Sequence, residues 1–505
     1  MSAEPERFSY GRRLQHWAKQ HPDRPAIIFI PVTGEPVEYS WQTVEQHTNQ
    51  LARLFAQKGV DAQSKVTIGL PNCPEHLFVA LAAWKLGAMV FPLKSSMAPF
   101  ERDQILEMAQ PQVVAANWDN LPFTTLRRED LQETADFSPD PLPDIIPQPG
   151  KAMASGGSTG RSKLIVDPVA WSQPDNPPLF NLIGVKRHMI QLISGPLYHN
   201  APFLASHWGL FQAHTLILME RFDAARVVDL IEQYQVSYAY MAPIMMSRVA
   251  KLPDVQARDF SSMRCLMHTA APCPPWLKRA WIDLIGAEHL LEIFGATELV
   301  GLAVIWGDEW LEHPGSVGKP LPICDMKILD AENQEVPTGE VGEIFMRRLD
   351  IEQSYTYIGS VPAKTTADGY TSVGDLGWVD EDGYLFIADR RVDLIITGGA
   401  NVFPAEVEAA LTEHTTIADV AVIGLPDEEW GKRVHAVVQF KEGTMPSSLS
   451  ELDRHCRERL TAYKVPKSYD VVAQLPRDPA GKIRRSALIA DRSEDRAIEI
   501  IFVRS

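Results

Sequence analysis

Residues 154 to 163 read Ala154-Ser155-Gly156-Gly157-Ser158-Thr159-Gly160-Arg161-Ser162-Lys163, and the whole 505-residue chain is organised around this stretch. Its glycines leave backbone N–H groups open to an anion, its hydroxyls add donors, and Arg161 with Lys163 adds positive charge. It is not a Walker A loop, because Gly156 and Gly160 enclose only three residues and no Gly-Lys pair follows. The stretch predicts a phosphate-binding loop; a plain Gly/Ser turn between two strands is the alternative.

Composition and charge restrict the class of protein. A chain of 505 residues exceeds the size at which a single hydrophobic core stops growing, so two or more domains are expected. The formal net charge of -17 argues against a nucleic-acid-binding surface. Five cysteines without CxxC spacing argue against a disulfide framework or a zinc site. With no apolar leader or membrane-length apolar run in the sequence, we expect a cytoplasmic protein.

Strand and helix patterns alternate along the first hundred residues, as expected of parallel βαβ units. The predicted elements are a helix around Leu14 and Trp17, strands at 26–30, 65–70 and 90–93, and helices at 41–58 and 74–86. Five prolines within 139–149 predict an extended connector, and 171–178 is interpreted as a surface excursion. Short apolar strands from 325 to 347 indicate a β-rich subdomain. The last 110 or so residues suit a small α+β domain.

Further motifs follow the loop in a fixed order. They are Leu197-Tyr198-His199-Asn200, Phe294-Gly295-Ala296-Thr297-Glu298, Ser372-Val373-Gly374-Asp375-Leu376-Gly377, Asp389-Arg390, Gly398-Gly399-Ala400-Asn401 and Pro476-Arg477-Asp478-Pro479-Ala480-Gly481-Lys482. With Trp84-Lys85-Leu86-Gly87-Ala88 before the loop, they make nearly the whole chain similar to the adenylate-forming superfamily of acyl-CoA synthetases, luciferases and peptide-synthetase adenylation domains. The resemblance implies an α/β N-terminal adenylation domain, 1–390, and a small mobile α+β C-terminal domain, 391–505.

The resemblance also implies ATP, Mg²⁺ and coenzyme A as cofactors. It places Ser155, Gly156, Gly157, Ser158, Thr159, Gly160 and Lys163 on the phosphates, Phe294 against the adenine with Gly295 beside it in the nucleotide site, and Ala270, Ala271 and Pro272 along the adenine. A plain structural turn is the alternative for 270–272. Thr297 would contact phosphate and Glu298 would bind Mg²⁺, for which one carboxylate with phosphates and waters is chemically sufficient. Asp375 matches the two ribose hydroxyls with two carboxylate oxygens, and Arg390 would contact the ribose beside it.

Catalytic roles follow from the same resemblance. Lys482 would bridge carboxylate and α-phosphate, with Thr159, Glu298 and His199 completing the catalytic set. Gly398 and Gly399 would line the pantetheine tunnel after the small domain rotates. A buried structural histidine is the alternative for His199, and a surface salt bridge is the alternative for Arg390. For the acyl pocket we nominate His199, Asn200, Phe203, Trp208, Met241, Gly295, Leu299 and Gly301, which favour a hydrophobic or aromatic acid.

Two departures from the family pattern bear on function. Ser162 stands where the family has proline, with Leu164 where glycine is usual, which should loosen the phosphate loop. Val392 replaces the charged residue common at the hinge, which puts the acceptor step in question. Residues 307–318 are similar to a subgroup containing bile-acid and other bulky-acid CoA ligases.

An acyl-CoA ligase acting on a small-molecule acid is therefore expected. An adenylating enzyme with an amine, carrier-protein thiol or nitrite acceptor, a luciferase-like oxygenase and a nucleotide-binding pseudo-enzyme remain alternatives. Monomer and homodimer both stay open.

Overall fold

A computed structural model describes residues 6–156, 162–390, 393–397, 400–427, 430–444, 449–478, 481–493 and 501–502. The fold is mixed α/β, with a large N-terminal domain and a small C-terminal domain, as the sequence predicts. The division at residue 390 stays a prediction. Within the described ranges, no helix is both long and apolar enough to cross a membrane.

The longest sheet runs through the large domain and changes character along its length. Its order is Cys324–Leu329, Gly342–Arg348, Thr371–Val379, Leu385–Arg390, Ser316–Pro320, Leu302–Trp306, Leu290–Gly295, Cys265–His268, Tyr238–Met241, Ile190–Ile193, Thr215–Met219, Pro25–Ile30 and Val37–Ser40. The strands from Leu290–Gly295 to Pro25–Ile30 pair in parallel, whereas the first members of the order pair antiparallel. The parallel strands between residues 190 and 295 and the predicted β-rich subdomain thus share one sheet, whereas the predicted strands at 65–70 and 90–93 lie in another.

A second sheet carries the phosphate-loop strands. Its order is Thr356–Ile358, Ser162–Asp167, Lys151–Gly156, Met89–Pro92, Lys65–Gly69, Val113–Ala116 and Thr125–Leu126. The helices of the large domain are Tyr10–Gln20, Trp41–Gln57, Pro74–Lys85, Pro99–Ala109, Arg128–Gln132, Pro178–Leu182, Asn200–Phe211, Ala224–Tyr234, Pro243–Ala250, Pro275–Ile285 and Gly307–Glu312. Apolar side chains between these helices and the two sheets form the main core. The predicted early helices and strands are confirmed to within one or two residues at each end.

The C-terminal domain has its own sheet and core. Its elements are the strands Ile395–Thr397, Ala400–Val402, Ile417–Asp427, Gly431–Phe440, Ser468–Val471 and Ile501–Phe502, with the helices Pro404–Thr412, Leu449–Arg457 and Arg485–Ser493. Apolar residues of the helices Pro404–Thr412 and Leu449–Arg457 pack on one face of the sheet. This arrangement is the small α+β domain that the sequence predicts.

The interpretation of 171–178 as a surface excursion is wrong. Ser172–Pro174 pairs antiparallel with Arg7–Ser9, and the Trp171 side chain is 5% exposed. The indole stacks on Tyr10 with ring centroids 5.4 Å apart. Proline and asparagine in this stretch prevent a long helix, but the large apolar ring of Trp171 still draws it into the core.

Candidate active site

The parallel strands bring several predicted site residues to one edge of the long sheet. His199 follows Ile190–Ile193, the Ala270–Pro272 turn follows Cys265–His268, and Glu298 follows Leu290–Gly295. Ligand sites in open α/β sheets form outside the carboxyl ends of the strands. The carboxyl edge therefore gathers the segments predicted to hold adenine, magnesium and the acyl carbonyl.

The described ends of the phosphate-loop stretch lie on two paired strands. Lys151–Gly156 and Ser162–Asp167 run antiparallel, with Ser155 opposite Lys163 and Gly156 opposite Ser162. The predicted phosphate contacts at Gly157, Ser158, Thr159 and Gly160 lie outside the described residues. Lys163 stands at the start of the second strand, from which its side chain extends to Glu298.

Three side chains form the polar centre of the cleft. Lys163 Nζ lies 3.2 Å from Glu298 Oε1, and the Tyr357 hydroxyl donates a 2.6 Å hydrogen bond to the same oxygen. The Lys163 ammonium lies 3.8 Å from the centroid of the Tyr357 ring. Burial, with the neighbouring Glu298 carboxylate, raises the pKa of Tyr357 well above its usual range, so the phenol stays protonated as a donor.

Glu298 suits a magnesium ion bound together with nucleotide phosphates. Both contacts of its carboxylate fall on Oε1, and among the described residues no group donates a hydrogen bond to Oε2. The side chain is 18% exposed, so it is partly desolvated but still reachable. A single carboxylate that leaves most positions to phosphates and waters fits Mg²⁺ better than a cation needing a full protein cage.

Asp375 and Arg390 are brought together by strand pairing. Thr371–Val379 and Leu385–Arg390 run antiparallel with Asp375 directly opposite Arg390. Asp375 thus lies within an irregular strand. The left-handed backbone at Gly374, with φ of 81°, is the turn-like feature that those glycines provide.

The predicted adenine turn has unusual backbone geometry. Ala270 has a φ of 82°, in the left-handed region that favours glycine, and Leu299 beside Glu298 has a φ of 51°. Non-glycine residues in this region cost about 1–3 kcal/mol each and are concentrated at functional sites. The two positions flank the carboxyl edge of neighbouring strands, where such strain fits a binding site.

His199 lies where the two domains meet. It precedes the helix Asn200–Phe211, and its Nε2 is 4.0 Å from Asp478 Oδ2 of the C-terminal domain. Burial lowers the pKa of His199 to about 4; Asp478 opposes this shift, and Lys482 with Lys94 adds to it. The imidazole is therefore neutral near pH 7, so it can accept or donate one hydrogen bond but carries no charge.

The loop carrying Lys482 is docked on the large domain. The Lys482 N–H donates to Asp478 Oδ1 at 2.9 Å, and the Gly481 N–H donates to the Asp478 carbonyl at 2.8 Å. Gly481 is buried and packs closely against Ile244. A Cβ added at Gly481 would lie 2.3 Å from Ile244 Cγ2. Lys482 itself is exposed, and its charge is near enough to His199 to lower the pKa of that imidazole.

Other contacts support the same closed arrangement of the domains. Arg484 lies 3.6 Å from Glu101, and Lys251 Nζ donates to the carbonyl of Ala418 at 3.1 Å. Gly398 and Gly399, the predicted tunnel glycines, and Val392 at the hinge lie outside the described residues.

The nominated acyl-pocket residues make contacts within the large domain, and their role in the pocket stays a prediction. Asn200 Oδ1 accepts a 3.2 Å hydrogen bond from Lys151 Nζ, a buried ammonium 3.8 Å from Asp167. Phe203 is fully buried, with its ring centroid 4.3 Å from that of His207. The phenyl ring thus packs in the core beneath the helix Asn200–Phe211. Sequence spacing along this helix does not distinguish a residue that faces the core from one that faces a pocket.

The remaining pocket nominations are also largely explained by packing. Trp208 packs against Phe180 at 5.6 Å, and Met241 is fully buried. A Cβ on Gly295 would lie 2.5 Å from Leu302, and one on Gly301 would lie 2.7 Å from Met346. A side chain at either position would have to displace its neighbour, and the backbone of these glycines can still border a ligand.

Sequence reasoning missed two groups of the site. Tyr357 lies on an edge strand whose sequence has no motif, and Asp478 sits inside the Lys482 motif without an assigned role. Only the pairing of Thr356–Ile358 with Ser162–Asp167 places Tyr357 beside Lys163.

Comparison with known proteins agrees with this geometry. The profile of the AMP-binding enzyme family matches residues 14–356, and that of the AMP-binding enzyme C-terminal domain matches residues 406–482. The chain belongs to the AMP-binding enzyme family.

Individual relatives extend along almost the full chain. A 2-succinylbenzoate–CoA ligase of Bacillus licheniformis is 30% identical, covering 94% of this chain and 99% of the relative. A fatty acid–[acyl-carrier-protein] ligase of Streptomyces coeruleorubidus is 34% identical, covering 93% and 94%. The structure of the o-succinylbenzoate CoA synthetase of Bacillus subtilis, in complex with its acyl-adenylate intermediate, aligns with a TM-score of 0.82 at 25% identity, covering 98% and 99%.

Proposed function

We propose that this protein is an AMP-forming acyl-CoA ligase that activates a hydrophobic or aromatic carboxylic acid. ATP and the acid give an acyl-adenylate and pyrophosphate, and coenzyme A then displaces AMP to give the thioester. The observation that carries the proposal is the contact of Lys163 with Glu298 at the carboxyl edge of the parallel sheet, an edge on which the Lys482 loop also packs, through Gly481 and Ile244. Full-length similarity to CoA ligases supports it.

The first half reaction joins two anions, so the site must offset their repulsion. Lys163 and the loop 155–160 would hold the β- and γ-phosphates, with Thr297 contacting phosphate and Glu298 holding the magnesium ion. Magnesium, when bound, supplies charge neutralisation at the phosphates. Lys482 would bridge the acid carboxylate and the α-phosphate, since its backbone is held at the cleft by Asp478 and by Gly481 against Ile244.

Nucleotide orientation would rest on groups around the adenine and ribose. Asp375 would accept hydrogen bonds from the two ribose hydroxyls, and Arg390 lies on the facing strand. Phe294 and the strained turn 270–272 would border the adenine. Orientation of this kind reduces the entropic barrier by holding the α-phosphate near the attacking carboxylate.

The second half reaction requires the small domain to leave its docked position. His199 is neutral and borders the Asp478 carboxylate, so rotation of the domain would expose it to the incoming thiol. The segment containing Gly398 and Gly399 would then enter the cleft. A cytoplasmic location is part of this proposal, in keeping with the scattered cysteines of the sequence.

A test of the proposal follows both half reactions separately. Pyrophosphate release is measured across aliphatic, aromatic and steroidal acids, with and without CoA, and products are identified by mass. Lys482→Ala should reduce acid-dependent pyrophosphate release by roughly a hundredfold or more, the range expected when a group acting on developing charge is removed, while ATP binding persists. Lys432→Ala, an exposed lysine of the same domain, is the matched control.

The outcomes separate the alternatives. A CoA thioester supports the ligase, and an acyl-adenylate without a thioester points to an amine, carrier-protein or nitrite acceptor. Full activity of Lys482→Ala would contradict the assigned role of that lysine, and the absence of pyrophosphate release with every acid would favour a nucleotide-binding protein without turnover.

A further inference from the structure

Tyr357 occupies a position that none of the motifs assigns. Its strand pairs with Ser162–Asp167 so that Tyr357 is directly opposite Ile165. Side chains alternate along a strand, so Ile165 and Lys163 share a face with Tyr357, and Lys163 is its diagonal neighbour. Strand register therefore brings the phenol and the ammonium to the same oxygen of Glu298.

The two partners of Glu298 differ in what they do when nucleotide binds. Lys163 carries a positive charge, so phosphates attract it and a nearby cation repels it. The Tyr357 hydroxyl is neutral, so its hydrogen bond to Glu298 Oε1 is compatible with a cation at the other oxygen. Tyrosine can thus hold the carboxylate while the lysine changes partner.

We infer that Tyr357 is a positioning residue that orients Glu298 for the magnesium ion accompanying ATP. The hydroxyl fixes Oε1, so the carboxylate keeps Oε2 for the metal after Lys163 turns to the phosphates. This inference rests on the proposed function, in which Glu298 is the magnesium ligand. Groups that orient metal ligands commonly change metal affinity by about 10- to 100-fold when removed.

The test compares ATP binding with and without the metal. Isothermal titration calorimetry with the full chain measures the dissociation constant of ATP in excess Mg²⁺ and in EDTA. For Tyr357→Phe we expect the gain in ATP affinity caused by Mg²⁺ to fall about tenfold. The dissociation constant of ATP measured in EDTA should change little. The Mg²⁺ concentration for half-maximal pyrophosphate release should rise by a similar factor, with a smaller effect on the rate at saturating Mg²⁺.

A matched control removes the same kind of hydrogen bond elsewhere. The Tyr370 hydroxyl donates to Asp325 in the same domain, so Tyr370→Phe also deletes a part-buried tyrosine–carboxylate contact. It should leave the Mg²⁺ dependence unchanged.

Glu298→Gln separates failure of this inference from failure of the proposed function. If Mg²⁺ increases the ATP affinity of Glu298→Gln as much as that of the wild type, Glu298 is not the magnesium ligand and the site assignment itself fails. If Glu298→Gln loses the gain while Tyr357→Phe, with a thermal midpoint close to wild type, keeps it, the positioning role of Tyr357 is wrong. Equal losses in Tyr357→Phe and Tyr370→Phe would also overturn it.

Discussion

Replacement of Gly481 by alanine should slow adenylation by hindering the docking of the small domain. Gly481 has a φ of 80°, and a Cβ there would lie 2.3 Å from Ile244 Cγ2 and 2.9 Å from Ile244 Cβ. Both distances are below normal contact, and Ile244 belongs to the large domain. The added methyl group therefore acts on the interface that places Lys482 in the cleft.

The size of the effect follows from this contact. Forcing one methyl group into a packed contact costs about 1–3 kcal/mol. If the docked state alone is destabilised by about 2 kcal/mol, the adenylation rate drops roughly 30-fold. The backbone strain of alanine at positive φ adds to this, but it affects the loop whether or not the domain is docked.

Gly443→Ala is the matched control. Gly443 lies in the same domain with a φ of 71°, and a Cβ there would meet no atom of the described residues within 4 Å. It carries the backbone strain without the interdomain contact, so it should adenylate at close to the wild-type rate. Ile244→Ala combined with Gly481→Ala removes the closest atom and should restore part of the rate.

The assay measures the two half reactions in separate experiments. Acid-dependent pyrophosphate release reports adenylation, and thioester formation from a supplied acyl-adenylate reports the CoA step, which does not need the docked Lys482 loop. Gly481→Ala should adenylate much more slowly than the wild type but keep most of its rate of thioester formation from the supplied acyl-adenylate. Equal adenylation by Gly481→Ala and Gly443→Ala would show that the contact with Ile244 does not control docking.

Three further predictions concern stability and nucleotide binding. Burial lowers the pKa of His76 to about 3 and of His207 and His268 to about 4, against 6.5 when unfolded, so the unfolded chain binds protons first. The free energy of unfolding should therefore fall as pH decreases from about 6.5 to 4, and a flat profile in urea titrations would contradict this. Phe203→Ala should destabilise the fold by about 3–5 kcal/mol in urea unfolding and leave the ranking of acids unchanged; a changed ranking would return Phe203 to the acyl pocket. Asp375→Asn should raise the KM for ATP about tenfold with less effect on the KM for the acid, since it weakens charge-assisted bonds to the ribose, and equal effects on both would argue against that contact.

Local sequence patterns predicted much of the fold. The helix at Trp41–Gln57 follows from apolar residues at helical spacing, and the parallel strands follow from the alternation of strand and helix patterns. Both signals are short-range, because they depend on side chains within a few turns or strand residues of each other. The surface interpretation of 171–178 failed, since turn-forming residues gave no sign that Trp171 would be drawn into the core.

Contiguous motifs were sufficient to predict the family, because the chemistry of neighbouring residues is visible in the sequence. The meeting of distant side chains required the folded chain. Glu298 contacts Lys163 across 135 residues and Tyr357 across 59, and Asp375 faces Arg390 through strand register. Such contacts depend on how strands pair and domains dock, which no local periodicity encodes.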